Sequence, residues 1–154
     1  SAMLLFVGFG WAKPVPINPL NFQNKNQDII KVAFAGPASN LILSFIAGSA
    51  IRFFNFINYN PGSTLGDVLG FFIYINVALA VFNMIPIAPL DGSQIFGAIL
   101  SRRNPEIAWK LQIYGPQILL GLIVFGYITG FSIIWMVMSP FIKFFVYIFS
   151  GMSL

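Results

Sequence analysis

Three side chains stand where chemistry inside an apolar environment would need them. Asp91 ends the run Ile85-Pro86-Ile87-Ala88-Pro89-Leu90 and precedes Gly92. A carboxylate at the end of such a run is costly to desolvate, and in a membrane it is functional by default. The competing reading is structural. Asp91 lies three residues before Gln94, the spacing of a capping box ahead of Ile95-Phe96-Gly97-Ala98-Ile99. Asn83 lies about two turns upstream in the same apolar stretch, and a buried amide must find partners. It can line a site or make an interhelical hydrogen bond. Asn76, one face-matched step earlier, carries the same ambiguity.

Asn40 closes the sequence Gly36-Pro37-Ala38-Ser39-Asn40. Proline inside a helix frees a carbonyl and kinks the axis, and glycine beside it removes bulk. This reads either as a loosened helix beside a polar cavity or as a kinked packing helix with small residues at Gly36, Ser44 and Gly48. Further upstream, Trp11-Ala12-Lys13-Pro14-Val15-Pro16-Ile17-Asn18-Pro19 is set against helix by its prolines. Such an extended arm can anchor Trp11 at a membrane interface or pair with an extended peptide, with Val15 and Ile17 along its length.

Composition excludes other chemistries. The chain contains no Cys and no His, which removes thiol nucleophiles, disulfides, His-based triads and His metal sites from these 154 residues. Hydrophobic residues make up 58% and charged residues 8%, with a mean hydropathy of +0.85. Soluble domains run at about 25% charged, so this is an integral membrane protein in contact with the lipid bilayer. The net charge of +4 does not signal nucleic acid, because the basic residues sit in the breaks between apolar runs rather than in a patch.

The elements that must position these residues follow from the uncharged stretches. The expected architecture is an all-α multi-pass membrane protein, one domain over residues 1–154, with three or four transmembrane or re-entrant helices. Residues 1–28 form a short extended or β arm. Helices are expected over about 29–54, 66–90 and 107–129, each long enough for a membrane span. Residues 131–149 read as a helix or a re-entrant segment, with Lys143 and Pro140 inside it. Lys13, Lys25 and Lys31 flank the first span, and Arg102, Arg103 and Lys110 follow the second. That asymmetry puts the arm and the 101–110 loop in the cytoplasm and brings Asp91 near the cytoplasmic side.

Taken in order, the Gly10–Pro19 stretch, Ala35-Gly36-Pro37-Ala38-Ser39-Asn40 and Asn83 through Leu90-Asp91-Gly92 resemble the site-2 protease family of intramembrane zinc metalloproteases, in its compact prokaryotic form. The resemblance covers about residues 8–100. It implies a zinc ion near the cytoplasmic face, bound by two His of an HExxH helix and by Asp91 as third ligand, with the Glu of HExxH activating water. It also implies that Asn40 and Asn83 line the active site and that Trp11, Val15 and Ile17 belong to an arm presenting a transmembrane peptide substrate. The HExxH helix, which precedes the Gly-Trp-Ala-Lys-Pro motif in that family, is not in this sequence. The chain is therefore expected to be the C-terminal part of such a protease, inactive alone and not holding zinc stably. The alternative is a non-catalytic pseudoprotease or scaffold that binds transmembrane partners. A small transporter would call for inverted repeats, which the sequence does not display.

Overall fold

The computed structural model describes residues 25–58 and 63–151. They form five helices: α1 (Lys25–Phe56), α2 (Ser63–Asn83), α3 (Asp91–Leu100), α4 (Pro105–Thr129) and α5 (Ile133–Ser150). Among the described residues there is no strand. The arm expected over residues 1–28 lies outside the described residues up to residue 24, and Lys25 onward is already helical. Four of the helices, α1, α2, α4 and α5, are long and apolar enough to cross a membrane, as befits a multi-pass membrane protein.

Helix limits follow local chemistry. α1 continues through Pro37, which is buried, and the Ser39 hydroxyl donates to the Gly36 carbonyl at 2.7 Å beside the interruption. α2 stops at Asn83, short of the residue 90 expected from hydropathy alone. Pro86 disfavours helix in the residue before it, and residues 84–90 instead turn through short-range bonds such as Ile85 N to Phe82 O, 3.1 Å. Ala88–Pro89 in this stretch is cis. α4 begins with Pro105 at a position that needs no donor and ends on Gly130, whose φ of 71° is left-handed. That glycine makes the break expected near residues 129–130. α5 is one continuous helix from its Ser132 cap, whose side chain accepts from Trp135 N, to the left-handed Gly151.

The core lies between α1, α2 and α5. Ala47, Ile73, Val77, Met138, Ile142 and Val146 form its buried centre. α1 and α2 are antiparallel: the Ser44 hydroxyl reaches both Asn40 O (2.9 Å) in its own helix and Ile73 O (3.3 Å) across the interface. α5 lies beside both and runs in the direction of α1. Its Phe149 backbone rests on Gly48, where a Cβ would meet Phe149 O at 2.6 Å, and the Phe45 and Phe149 rings pack edge-on with centroids 5.8 Å apart. The Arg52 guanidinium closes that end by donating to Phe149 O (2.9 Å), Tyr147 O (3.3 Å) and Ile148 O (2.6 Å), carbonyls of the last turn of α5, of which Tyr147 O also accepts from Gly151 N (2.8 Å).

Candidate functional site

Asp91 occupies the first turn of α3, and the structure corrects the capping-box alternative. The residue that caps α3 is Leu90, in extended conformation, and no side chain provides a cap hydrogen bond there. The Ser93 hydroxyl instead donates back to Leu90 O at 2.7 Å. The Asp91 carboxylate is thus not spent on the helix terminus. It is half-buried, and it has no hydrogen-bond or ion-pair partner among the described residues.

Two glycines place it. A Cβ on Gly36 would come within 3.0 Å of Asp91 Oδ2, so the carboxylate lies directly against α1 beside the Pro37 interruption. A Cβ on Gly92 would run into the carbonyls of Met84 and Ile85, so the first turn of α3 closes against the backbone just after Asn83. The Ala35–Asn40 and Asn83–Gly92 motifs therefore meet, Gly36 against the Asp91 carboxylate and Gly92 against backbone that a larger residue would strike; the Gly10–Pro19 stretch lies outside the described residues. Asn83, the last residue of α2, is half-buried next to that contact. Asn40 is also half-buried, four residues beyond Gly36, which places it about 6 Å along the same face of α1. Asn76 is different: it is buried, and its Nδ2 donates to Phe72 O at 2.9 Å within its own helix. Trp11, Val15 and Ile17 lie outside the described residues.

The segment leading into Asp91 has a support that the sequence did not reveal. A Cβ on Gly115 would sit 2.7 Å from Ala88, so α4 packs backbone to backbone on the Ala88–Leu90 segment. The signal available was Tyr114-Gly115-Pro116 within an apolar helix, which does not say what it packs on. On the other side of Pro37, a cavity of about 500 Å³ opens between α1, the 84–86 turn, α3 and α5. Its walls include Phe34, Leu41, Met84, Phe96 and Phe141 and are almost wholly apolar.

Burial raises the Asp91 carboxyl above its usual value of 3.8 by disfavouring the charged form. A cation beside it would act in the opposite sense. The residues present do not by themselves fit a zinc ion, however. Among the described residues there is no group of three or more His, Cys, Asp or Glu able to hold a metal, and the whole sequence lacks His and Cys. A catalytic zinc takes three protein ligands, and Asp91 can be one.

Comparison with known proteins points the same way as the motifs. Residues 59–126 match the model of peptidase family M50. "Putative zinc metalloprotease YwhC" of Bacillus subtilis is 30% identical over 128 residues, covering 80% of this chain and 58% of that protein. "Putative zinc metalloprotease MJ0611" of Methanocaldococcus jannaschii is 35% identical over 97 residues, 63% of this chain and 41% of that protein. "Zinc metalloprotease MJ0392" of the same organism is 31% identical over 120 residues, 75% of this chain and 33% of that protein. The chain thus spans little more than half the length of the first of these relatives and less of the others. No solved structure matches significantly. The matched segment contains Asn83 and Leu90-Asp91-Gly92, and the family model and the relatives together support assigning the chain to peptidase family M50, the site-2 protease family.

Proposed function

We propose that this chain forms the Asp91-bearing part of an intramembrane zinc metalloprotease that hydrolyses peptide bonds in or near transmembrane segments. The observation that carries the reading is the position of Asp91: a half-buried carboxylate with no protein partner among the described residues, held against Gly36 where the Ala35–Asn40 and Asn83–Gly92 motifs meet. A carboxylate in such surroundings is stabilised as an anion once a cation joins it. In this reading Asp91 is one zinc ligand, and Asn40 and Asn83 supply amide donors and acceptors beside it. Trp11, Val15 and Ile17 belong to the segment that meets an extended transmembrane substrate. The arm and the 101–110 loop face the cytoplasm of a prokaryotic cell, as the distribution of Lys and Arg favours.

These 154 residues alone supply neither the remaining ligands nor a general base, so the isolated chain is expected to be inactive. The lack of His also favours one second reading, a non-catalytic scaffold that binds transmembrane partners without cutting them. Cleavage of a transmembrane peptide in vesicles by the full-length native protein separates the two. The protease reading requires metal-dependent cleavage that is lost in Asp91→Asn. Absence of cleavage by the zinc-loaded wild type on a panel of transmembrane peptides would favour the scaffold, and cleavage by the isolated 154 residues would contradict the division of labour proposed.

A further inference from the structure

The cations of this chain are not used alike. Arg52 is spent on the carbonyls of the last turn of α5, and Lys31 pairs with Asp28 at 3.6 Å. Arg102, Arg103 and Lys110 differ. They fall in the turn between α3 and α4 and the opening turns of α4. All three are exposed, and none has a hydrogen-bond or ion-pair partner for its side chain among the described residues. Glu106 between them is exposed and unpaired as well, and it is the only acidic residue after Asp91 in the sequence. The stretch therefore carries an excess of positive charge that the described residues do not neutralise.

Its place in the fold is the edge of the membrane. α4 is long and apolar enough to cross a bilayer and starts at Pro105. The turn that precedes it stands at the boundary between lipid and water. Trp109 marks the same level: it is exposed, lies about 6 Å into α4, and belongs to a residue type that gathers at headgroup depth. The turn itself is fixed. Arg103 N and Asn104 N both donate to Leu100 O, at 3.0 and 2.8 Å, so the two guanidinium groups spring from one held backbone.

We propose that Arg102, Arg103 and Lys110 bind the phosphate of an anionic phospholipid. A guanidinium presents paired N–H donors that match phosphate oxygens, and an ammonium adds a compact charge. Each basic residue near an anionic membrane surface strengthens the association about fivefold. The choline of a zwitterionic lipid would bring a like charge beside the same groups. A lipid suits the site better than phosphate free in water, because the cations adjoin exposed apolar surface. Ile107, Trp109 and Ile113 are open to acyl chains beneath a headgroup held here. The site also bears on the carboxylate. α3 begins at Asp91 and ends at Leu100, just before the basic turn, while Gly115 of α4 packs on Ala88. A bound headgroup fixes the level of the α3–α4 turn at the membrane surface, and through α3 that of Asp91. Lipid binding here does not depend on the protein being a peptidase and is measured without any cleavage.

The test titrates the full-length protein, in mild detergent, with phosphatidylglycerol or with phosphatidylcholine of the same chains, and counts bound lipid by native mass spectrometry. Phosphatidylglycerol is expected to bind about tenfold more tightly or better, and millimolar inorganic phosphate is expected to leave it bound. The triple variant Arg102→Gln, Arg103→Gln, Lys110→Gln is expected to lose the preference, and Lys143→Gln, a cation within α5 and outside the site, to keep it. Unfolding in phosphatidylcholine alone checks that the variants are folded, as the exposure of the three side chains predicts. Should the triple variant fail to fold, the wild type decides: phosphatidylglycerol binding is expected to weaken severalfold from low to high salt. Equal binding of the two lipids, displacement by inorganic phosphate, an undiminished preference in the folded triple variant, an equal loss in Lys143→Gln, or binding indifferent to salt overturns the proposal.

Discussion

Replacing Gly36 with alanine separates folding from function at the Asp91 carboxylate. The new methyl would stand 3.0 Å from Asp91 Oδ2, closer than ordinary van der Waals contact, and its obstacle is the far end of a side chain rather than backbone. The carboxylate yields by a few tenths of an ångström, which costs folding little. Alanine in a helix interior gains roughly 0.5–1 kcal/mol over glycine. The net effect on stability is therefore between neutral and about 1 kcal/mol favourable. Function responds the other way. A metal ligand is useful only within a narrow range of distance and direction, and misplacement in a catalytic site can cost about 100-fold for an ångström. A displacement of a few tenths is expected to lower metal-dependent cleavage by the full-length protein severalfold, and Gly36→Val further. The assay pairs thermal unfolding in mild detergent with cleavage of a transmembrane peptide. A Gly36→Ala protein with unchanged stability and unchanged activity would refute the placement of Asp91 against α1.

Gly92→Ala meets backbone instead of a side-chain end, at the Met84 and Ile85 carbonyls. It is expected to destabilise the fold by about 1–3 kcal/mol, read from detergent unfolding, because the turn after α2 has to move. Arg52→Ala removes three donors from the carbonyl end of α5. Since the side chain is exposed, the expected loss is modest, about 1 kcal/mol, with Arg52→Lys recovering only part of it because a lysine cannot span three carbonyls with a rigid fork. The pH dependence of the metal-free chain follows from Asp91. Its folded-state pKa lies above the unfolded value, so its contribution to stability is full below the unfolded pKa and is lost as the pH rises through the raised folded one. Unfolding midpoints between about pH 3 and 7 should show this loss in wild type and a flatter profile in Asp91→Asn.

Much of this architecture is written in the sequence, and what is missing has physical causes. The uncharged stretches locate α1, α2, α4 and α5 to within a few residues, except where α2 ends. There hydropathy continues smoothly through residues 84–90, while Pro86 and Pro89 break the backbone ladder that hydropathy does not register. Asp91 and the glycine of Leu90-Asp91-Gly92 are conspicuous from composition alone, because a lone carboxylate in an apolar run demands explanation. The choice between a helix cap and a free carboxylate was not legible. The capping-box spacing is satisfied, and only the position of Leu90 at the helix start rules it out. The small residues Gly36 and Gly48 read as packing positions, yet what each admits is a matter of tertiary contact, an aspartate oxygen and the end of α5, and nothing in the sequence shows that Gly115 admits Ala88. Arg52 reads only as a loop charge, and its grip on α5 links residues almost a hundred positions apart.

The most direct test of Asp91 as a metal ligand is the zinc content of the full-length native protein, purified from its own membranes without chelator and analysed by atomic emission alongside Asp91→Asn. The expected result is about one zinc per wild-type chain and a large loss in the variant, with both proteins folded. Equal zinc in the two proteins, or none in either after reconstitution with the metal, would contradict the assignment.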